Sequence, residues 1–99
     1  MIAVKVTYIV EEGYIDENLS RIAGFLADFK HLDQSRFQYD VLHVKGSPTF
    51  VHVSRYKDQE VQQEILGNTI FRKFQEERDK RLVGEPLIEY LDINLLRSL

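Results

Sequence analysis

Apolar and polar residues alternate over residues 2–10 (IAVKVTYIV). Ile2, Val4, Val6, Tyr8 and Val10 share one face, and Ala3, Lys5, Thr7 and Ile9 share the other. That period of two, with many β-branched residues, predicts a strand. Glu11-Glu12-Gly13 breaks it. The spacing then becomes helical through Leu19, Ile22, Ala23, Leu26 and Phe29, with Asp16 the expected N-cap. This helix is expected to end near His31 to Asp33. Strands are predicted over residues 37–44 and 49–56, with Lys45-Gly46-Ser47-Pro48 between them. A two-residue loop would need an amide hydrogen from Pro48, which has none. A three-residue loop pairing Lys45 with Thr49 is therefore expected. It places Gln38, Asp40, Leu42 and Val44 on the same face as Phe50, His52, Ser54 and Tyr56. A slip of one residue would invert the faces.

Asp58 is placed to cap a second helix with Val61 and Ile65 on its apolar side. Gly67-Asn68-Thr69 interrupts that helix: Gly67 or Asn68 can close it in the left-handed conformation, and Thr69 can cap a further helical segment. Phe71, Phe74, Arg78 and Leu82 continue the helical period until Gly84-Glu85-Pro86. Residues 87–94 read as a last strand, and LLRSL as an apolar tail. The order β-α-β-β-α-β predicts an α+β, ferredoxin-like fold: one four-stranded antiparallel sheet in order 4-1-3-2, with the helices on one face. The 99 residues suffice for a single domain over 1–99.

Two helices leave one sheet face uncovered, expected to carry Ala3, Lys5, Thr7, Ile9, Gln38, Asp40, Leu42, Phe50, His52, Ser54 and Tyr56. This set is too apolar for water and too polar for a closed core. Packing two such faces together, as a homodimeric α/β barrel, would cover it, with Leu95, Leu96 and Leu99 latching onto the partner. Composition narrows the functions. With 13 Lys and Arg against 16 Asp and Glu, the net charge is -3, so no basic excess favours nucleic acid. There are no cysteines, hence no thiolate nucleophile, thiolate metal site or disulfide. No apolar run approaches the roughly 18 residues of a membrane span. The first residues do not read as a signal peptide, so a cytoplasmic location is the expectation.

The element order, together with TFVHVSRYKDQEVQQEILGNTIFRKFQEE (residues 49–77), resembles the dimeric α/β-barrel proteins of the antibiotic biosynthesis monooxygenase type. Tyr56 occupies the place of the aromatic residue ending a strand. Lys57-Asp58 is the acidic turn, Leu66-Gly67-Asn68-Thr69 the helix break, and Phe71 the aromatic residue after it. The resemblance implies cofactor-free oxidation of polycyclic phenols or quinols. It also implies departures. The histidine common at the helix break is Ile70 here. The haem-degrading members' tryptophan and histidine positions are Ile65 and Gln75, so haem degradation is not implied.

Among three histidines, His31 falls at a helix end and His43 on the helix-covered face, which gives no metal-ligand set. His52 is the expected catalytic base, pointing into the barrel with Asp40 one diagonal step away to hold its tautomer. The competing reading of this pair is a polar ladder that fixes strand register. Lys5, Thr7, Ser54, Tyr56, Ile65, Ile70 and Phe71 are the expected substrate contacts. Glu89, Lys5, His52 and Asp40 would form one charged row, in which Lys5 either binds an anionic substrate or closes an ion pair. Two functions are compatible with these residues: a cofactor-free monooxygenase or isomerase acting on an aromatic, quinol or polyketide-type metabolite, or a non-catalytic dimeric small-molecule-binding or stress-associated protein.

Overall fold

The computed structural model describes residues 1–92. β1 (Ile2–Ile9) leads through a 3-10 turn, Glu12–Tyr14, into α1 (Ile15–Phe29). β2 (Phe37–His43) and β3 (Thr49–Tyr56) form a hairpin. α2 (Gln59–Leu66) and α3 (Thr69–Asp79) come next, and β4 (Leu87–Leu91) returns to the sheet. The sheet is antiparallel throughout, in order β2-β3-β1-β4. This is the expected ferredoxin-like topology. The expected tail contact of Leu95, Leu96 and Leu99 lies outside the described residues, as do positions 93 and 94 of the predicted last strand.

The hairpin register differs from the expected one by a single residue. Leu42 pairs with Val51 and His43 with Phe50, and the Val44 N–H donates to Thr49 O at 3.0 Å. The loop is therefore Lys45–Pro48, four residues long. Its turn closes between Ser47 N and Val44 O at 3.1 Å, with Gly46 at φ 70, a conformation glycine adopts without a Cβ penalty. Pro48 comes after the turn, so its missing N–H matters to no strand pair. Its carbonyl accepts from Val10 N at 3.1 Å. The Ser47 side chain, not a strand partner, receives the Thr49 N–H at 3.1 Å.

Because side chains alternate with period two, this shift moves all of β3's expected open-face residues to the other side. Phe50, His52, Ser54 and Tyr56 lie under the helices with Val4 and Tyr8, and all six are buried. The open face instead carries Val51, Val53 and Arg55 beside Lys5, Thr7 and Asp40. The cross-sheet row reads Asp40, Val53, Lys5, Glu89. Lys5 Nζ lies 4.0 Å from Glu89 Oε1, the expected ion pair.

The helix ends hold two further differences. α1 starts at Ile15 with no side-chain cap, because the 3-10 turn already supplies the entry and leaves Asp16 inside the first turn. Asp58 caps α2 as expected, accepting from Val61 N at 2.9 Å. The break after α2 is present, but Gly67 has φ -88 and no residue there is left-handed. Asn68, not Thr69, caps α3 by accepting from Phe71 N at 3.0 Å, and its Nδ2 donates to Asp28 on α1 at 2.9 Å. One asparagine thus starts a helix and ties it to its neighbour.

Candidate active site between the sheet and the broken helix

A stack of aromatic rings fills the layer between sheet and helices: Phe25 and Phe29 from α1, Phe71 and Phe74 from α3, Phe37 and Tyr39 from β2, and Tyr8, Phe50 and Tyr56 from β1 and β3. His52 sits inside it, 2% exposed. Phe25 and Phe74 lie parallel-tilted to its ring, at 6.2 and 5.8 Å. Both imidazole nitrogens are engaged. Nε2 is 2.7 Å from the Tyr8 hydroxyl, and Nδ1 is 2.7 Å from the Tyr39 hydroxyl. The Tyr8 hydroxyl also accepts from Asn18 Nδ2 at 3.1 Å.

Charge at this centre is unfavourable for the imidazolium. Burial, with the Arg78 guanidinium as a second cause, lowers the His52 pKa to about 3. The ring is neutral, with one nitrogen donating and the other accepting. Burial raises the Tyr8 hydroxyl to about 12, against the opposing pull of its Asn18 hydrogen bond and Arg78. It pushes Tyr39 well above the ordinary tyrosine value. Arg78 is 8% exposed and stacks over Tyr8, 4.8 Å from the ring centre. Its ion pair is with the neighbouring Asp79 on the surface, at 2.9 Å. This cation is held by aromatic faces and a single exposed carboxylate.

Beside His52 lies a cavity of about 190 Å³ between the helix-facing side of the sheet and α2–α3. Tyr39, His52, Ser54, Tyr56, Phe71 and Arg78 line it, with Gln62 and Gln75 from the helices and Ile88 and Tyr90 from β4. Ile88 and Tyr90 are largely exposed and form its rim. The arrangement offers an apolar slot, a fixed cation and a tyrosine hydroxyl, a set suited to a flat molecule with an electron-rich oxygen. A larger hollow of about 350 Å³, at the sheet end around Arg36, Arg55 and Lys57, is an open polar cleft with no comparable buried chemistry.

The expected site residues divide. His52, Ser54, Tyr56 and Phe71 meet in this cavity. Asp40, Lys5 and Thr7 are on the opposite face of the sheet. Asp40 pairs with Val53, not diagonally with His52, and its carboxylate accepts from Gln38 at 3.0 Å. It cannot hold the His52 tautomer; Tyr8 and Tyr39 do. The expected pointing of His52 into a barrel between two sheets is likewise corrected, because β3 is turned over by the four-residue loop. Ile65 packs into the core from α2, and Ile70, on α3, is 47% exposed; neither lines the cavity. Sequence reasoning passed over Tyr8, Tyr39, Asn18 and Arg78. The available signal was Arg78, an arginine at a core position of the helical repeat. His43 is on the helix side as expected, stacked on Phe50 at 4.4 Å with Nε2 2.6 Å from Ser47 O.

No known protein family and no curated protein matches this sequence. Solved structures do. The chain is similar to an antibiotic biosynthesis monooxygenase at 14% identity and TM-score 0.80, covering 93% of this chain and 97% of that one. It is similar to Rv0793 from Mycobacterium tuberculosis at 13% identity and TM-score 0.81, covering 98% of each. PA3566 from Pseudomonas aeruginosa matches at 14% identity and TM-score 0.74, over 91% and 90%. At such identities the likeness is one of fold: the ferredoxin-like fold of the antibiotic biosynthesis monooxygenase-like proteins. No helix among the described residues is long and apolar enough to cross a membrane.

The buried imidazole has a consequence for stability. In the unfolded chain His52 binds a proton near its ordinary pKa, and in the folded chain only near pH 3. Folding carries no such penalty above about pH 6.5. Below it the unfolded state binds more protons, and stability falls by up to about 1.4 kcal/mol per pH unit until pH nears the folded value. Urea midpoints from pH 7 to pH 4 should show this fall. His52→Gln should be less stable at pH 7 but lose less on acidification.

Proposed function

We propose that this chain is a small cofactor-independent oxygenase-like enzyme acting on a phenolic or quinol-type aromatic metabolite bound between the sheet and the broken helix. The observation that carries the reading is the cavity itself, whose lining brings aromatic walls together with Arg78 and Tyr39. A phenol or quinol must be deprotonated before it reacts readily with dioxygen, and that proton passes to solvent at the exposed Ile88 and Tyr90 rim. A cation in a low-dielectric slot favours that phenolate over the neutral phenol. His52 is not a free base here, since both nitrogens are occupied and its basicity is lowered. Its part is to set the Tyr8 and Tyr39 hydroxyls, while Arg78 stabilises the oxyanion. Tyr56 and Phe71 form the apolar walls, and Ser54 supplies a polar contact. The fold likeness supports this reading but leaves the substrate to be found. At about 190 Å³, below the about 300–1,000 Å³ common for drug-sized ligands, the space suits a small ring system.

A second reading, a non-catalytic small-molecule-binding protein, is favoured by one observation: Ile70 stands where the related proteins' helix-break histidine is expected. In both readings the open sheet face packs on a second copy. Leu42, Leu87, Ile9 and Leu91 are exposed there, and Lys5, Thr7 and Asp40 belong to that interface, not to the substrate.

Oxygen uptake with a panel of quinols and polycyclic phenols tests the first reading. Turnover should fall about a hundredfold in Arg78→Gln and survive Asp40→Asn. Turnover lost in Asp40→Asn but kept in Arg78→Gln would move the chemistry to the open face. Saturable binding without turnover across the panel would select the second reading. For the interface, sedimentation should give a dimer at micromolar concentration. Leu42→Asp should shift it to monomer, because an unpaired buried charge costs about 3–5 kcal/mol. A stable wild-type monomer would contradict the pairing.

A further inference from the structure

The polar chain behind the cavity has a direction. Asn18 on α1 is 0% exposed; its Nδ2 donates to the Tyr8 hydroxyl at 3.1 Å, and its Oδ1 has no hydrogen-bond partner. The Arg78 guanidinium, 4.8 Å from the Tyr8 ring centre, carries only donors. Tyr8 therefore faces donors on two sides, and its one hydroxyl hydrogen is left for His52 Nε2, 2.7 Å away. With Nε2 accepting, the neutral ring carries its proton on Nδ1 and donates it to the Tyr39 oxygen at 2.7 Å. The Tyr39 hydroxyl has no other hydrogen bond among the described residues, and Tyr39 lines the cavity. Its hydrogen is free for a ligand.

The opposite setting needs the Asn18 amide turned, with Oδ1 taking the Tyr8 hydrogen. Two N–H groups would then be buried without an acceptor, in place of one N–H and one carbonyl oxygen. Orphaned buried N–H groups are the rarer case, and each carries a desolvation cost. The charge of Arg78 adds to the preference, because it favours the Tyr8 oxygen turned toward it.

We propose that Asn18 is a positioning residue that fixes the Nδ1–H tautomer of His52, so that Tyr39 offers its hydroxyl hydrogen, in the cavity it shares with Arg78, to a carbonyl or oxyanion oxygen of the quinone or phenolate class. This rests on the reading of the cavity as the binding site, but the tautomer belongs to the free protein. The ligand oxygen then meets one neutral donor and one cation, with no acceptor from this chain of hydrogen bonds facing it. A ligand presenting only an uncharged donor at that point is the poorer match.

Long-range proton–nitrogen NMR spectra of the ligand-free chain distinguish the two tautomers. The wild type should show the proton on Nδ1 and a bare Nε2. Asn18→Asp, read at a pH high enough to ionise the buried carboxyl so that it only accepts, should draw the Tyr8 hydrogen and move the proton to Nε2. If Asn18 were merely a packing residue, this substitution would leave the tautomer unchanged. A wild-type ring protonated on Nε2 overturns the proposal whether or not the variant folds. The ligand half is tested with 1,4-naphthoquinone, which can only accept. Its binding should weaken about two- to tenfold in Tyr39→Phe. Equal binding, or none to the wild type, overturns that half. Quinone binding with the expected tautomer but no turnover of any phenol or quinol would retire the oxygenase reading alone.

Discussion

The site depends on one imidazole held between two tyrosine hydroxyls under a layer of phenylalanine rings. His52 has polar atoms at two opposite corners, and each meets a hydroxyl at 2.7 Å. A buried polar group left unpaired would cost about 1–3 kcal/mol, so β1, β2 and β3 must deliver Tyr8, Tyr39 and His52 to one side of the sheet. That requirement also fixes which residues face outward. Once His52 is under the helices, Asp40, Lys5 and Thr7 are on the other surface, and the two faces of the sheet carry different chemistry.

The helix layer completes the arrangement. Asn68 begins α3 and bonds to Asp28 of α1, which holds Phe71, Phe74 and Arg78 over the sheet. Arg78 then lies against Tyr8 and Phe74 with its charge only partly balanced by Asp79. A buried cation beside a slot of aromatic walls attracts an anionic aromatic ligand more than a neutral one. The same cation disfavours a protonated His52. The imidazole at this centre is thus neutral, and the two tyrosine hydroxyls keep their protons.

Much of this was legible in the chain. The alternation in residues 2–10, the helical spacing from Leu19 to Phe29, the Asp58 cap and the break at Gly67-Asn68 gave the element order and the sheet topology. The resemblance over residues 49–77 pointed to the fold that the solved structures share. The candidate site is half legible: the chain points to His52, Ser54, Tyr56 and Phe71, and these four line one cavity. What failed was the parity of β3. Pro48 excluded a two-residue loop but not a four-residue one, and the choice between three and four rests on Gly46 turning early and on the Ser47 side chain taking the Thr49 amide. Neither is visible in a hydrophobic pattern, because both faces of β3 are largely apolar or β-branched. Asn18, a polar residue on a helix face, carries no sequence mark of burial.

The pH response of the His52 ring tests the central point, that the imidazole is a buried neutral bridge. Its ring nitrogens can be followed by NMR as the folded protein is taken from pH 8 to pH 4. The two shifts should stay those of one neutral tautomer for as long as the protein remains folded, since the folded pKa is about 3. A ring that titrates near pH 6.5 while the fold persists would place His52 in contact with solvent or a carboxylate, and would contradict the arrangement described.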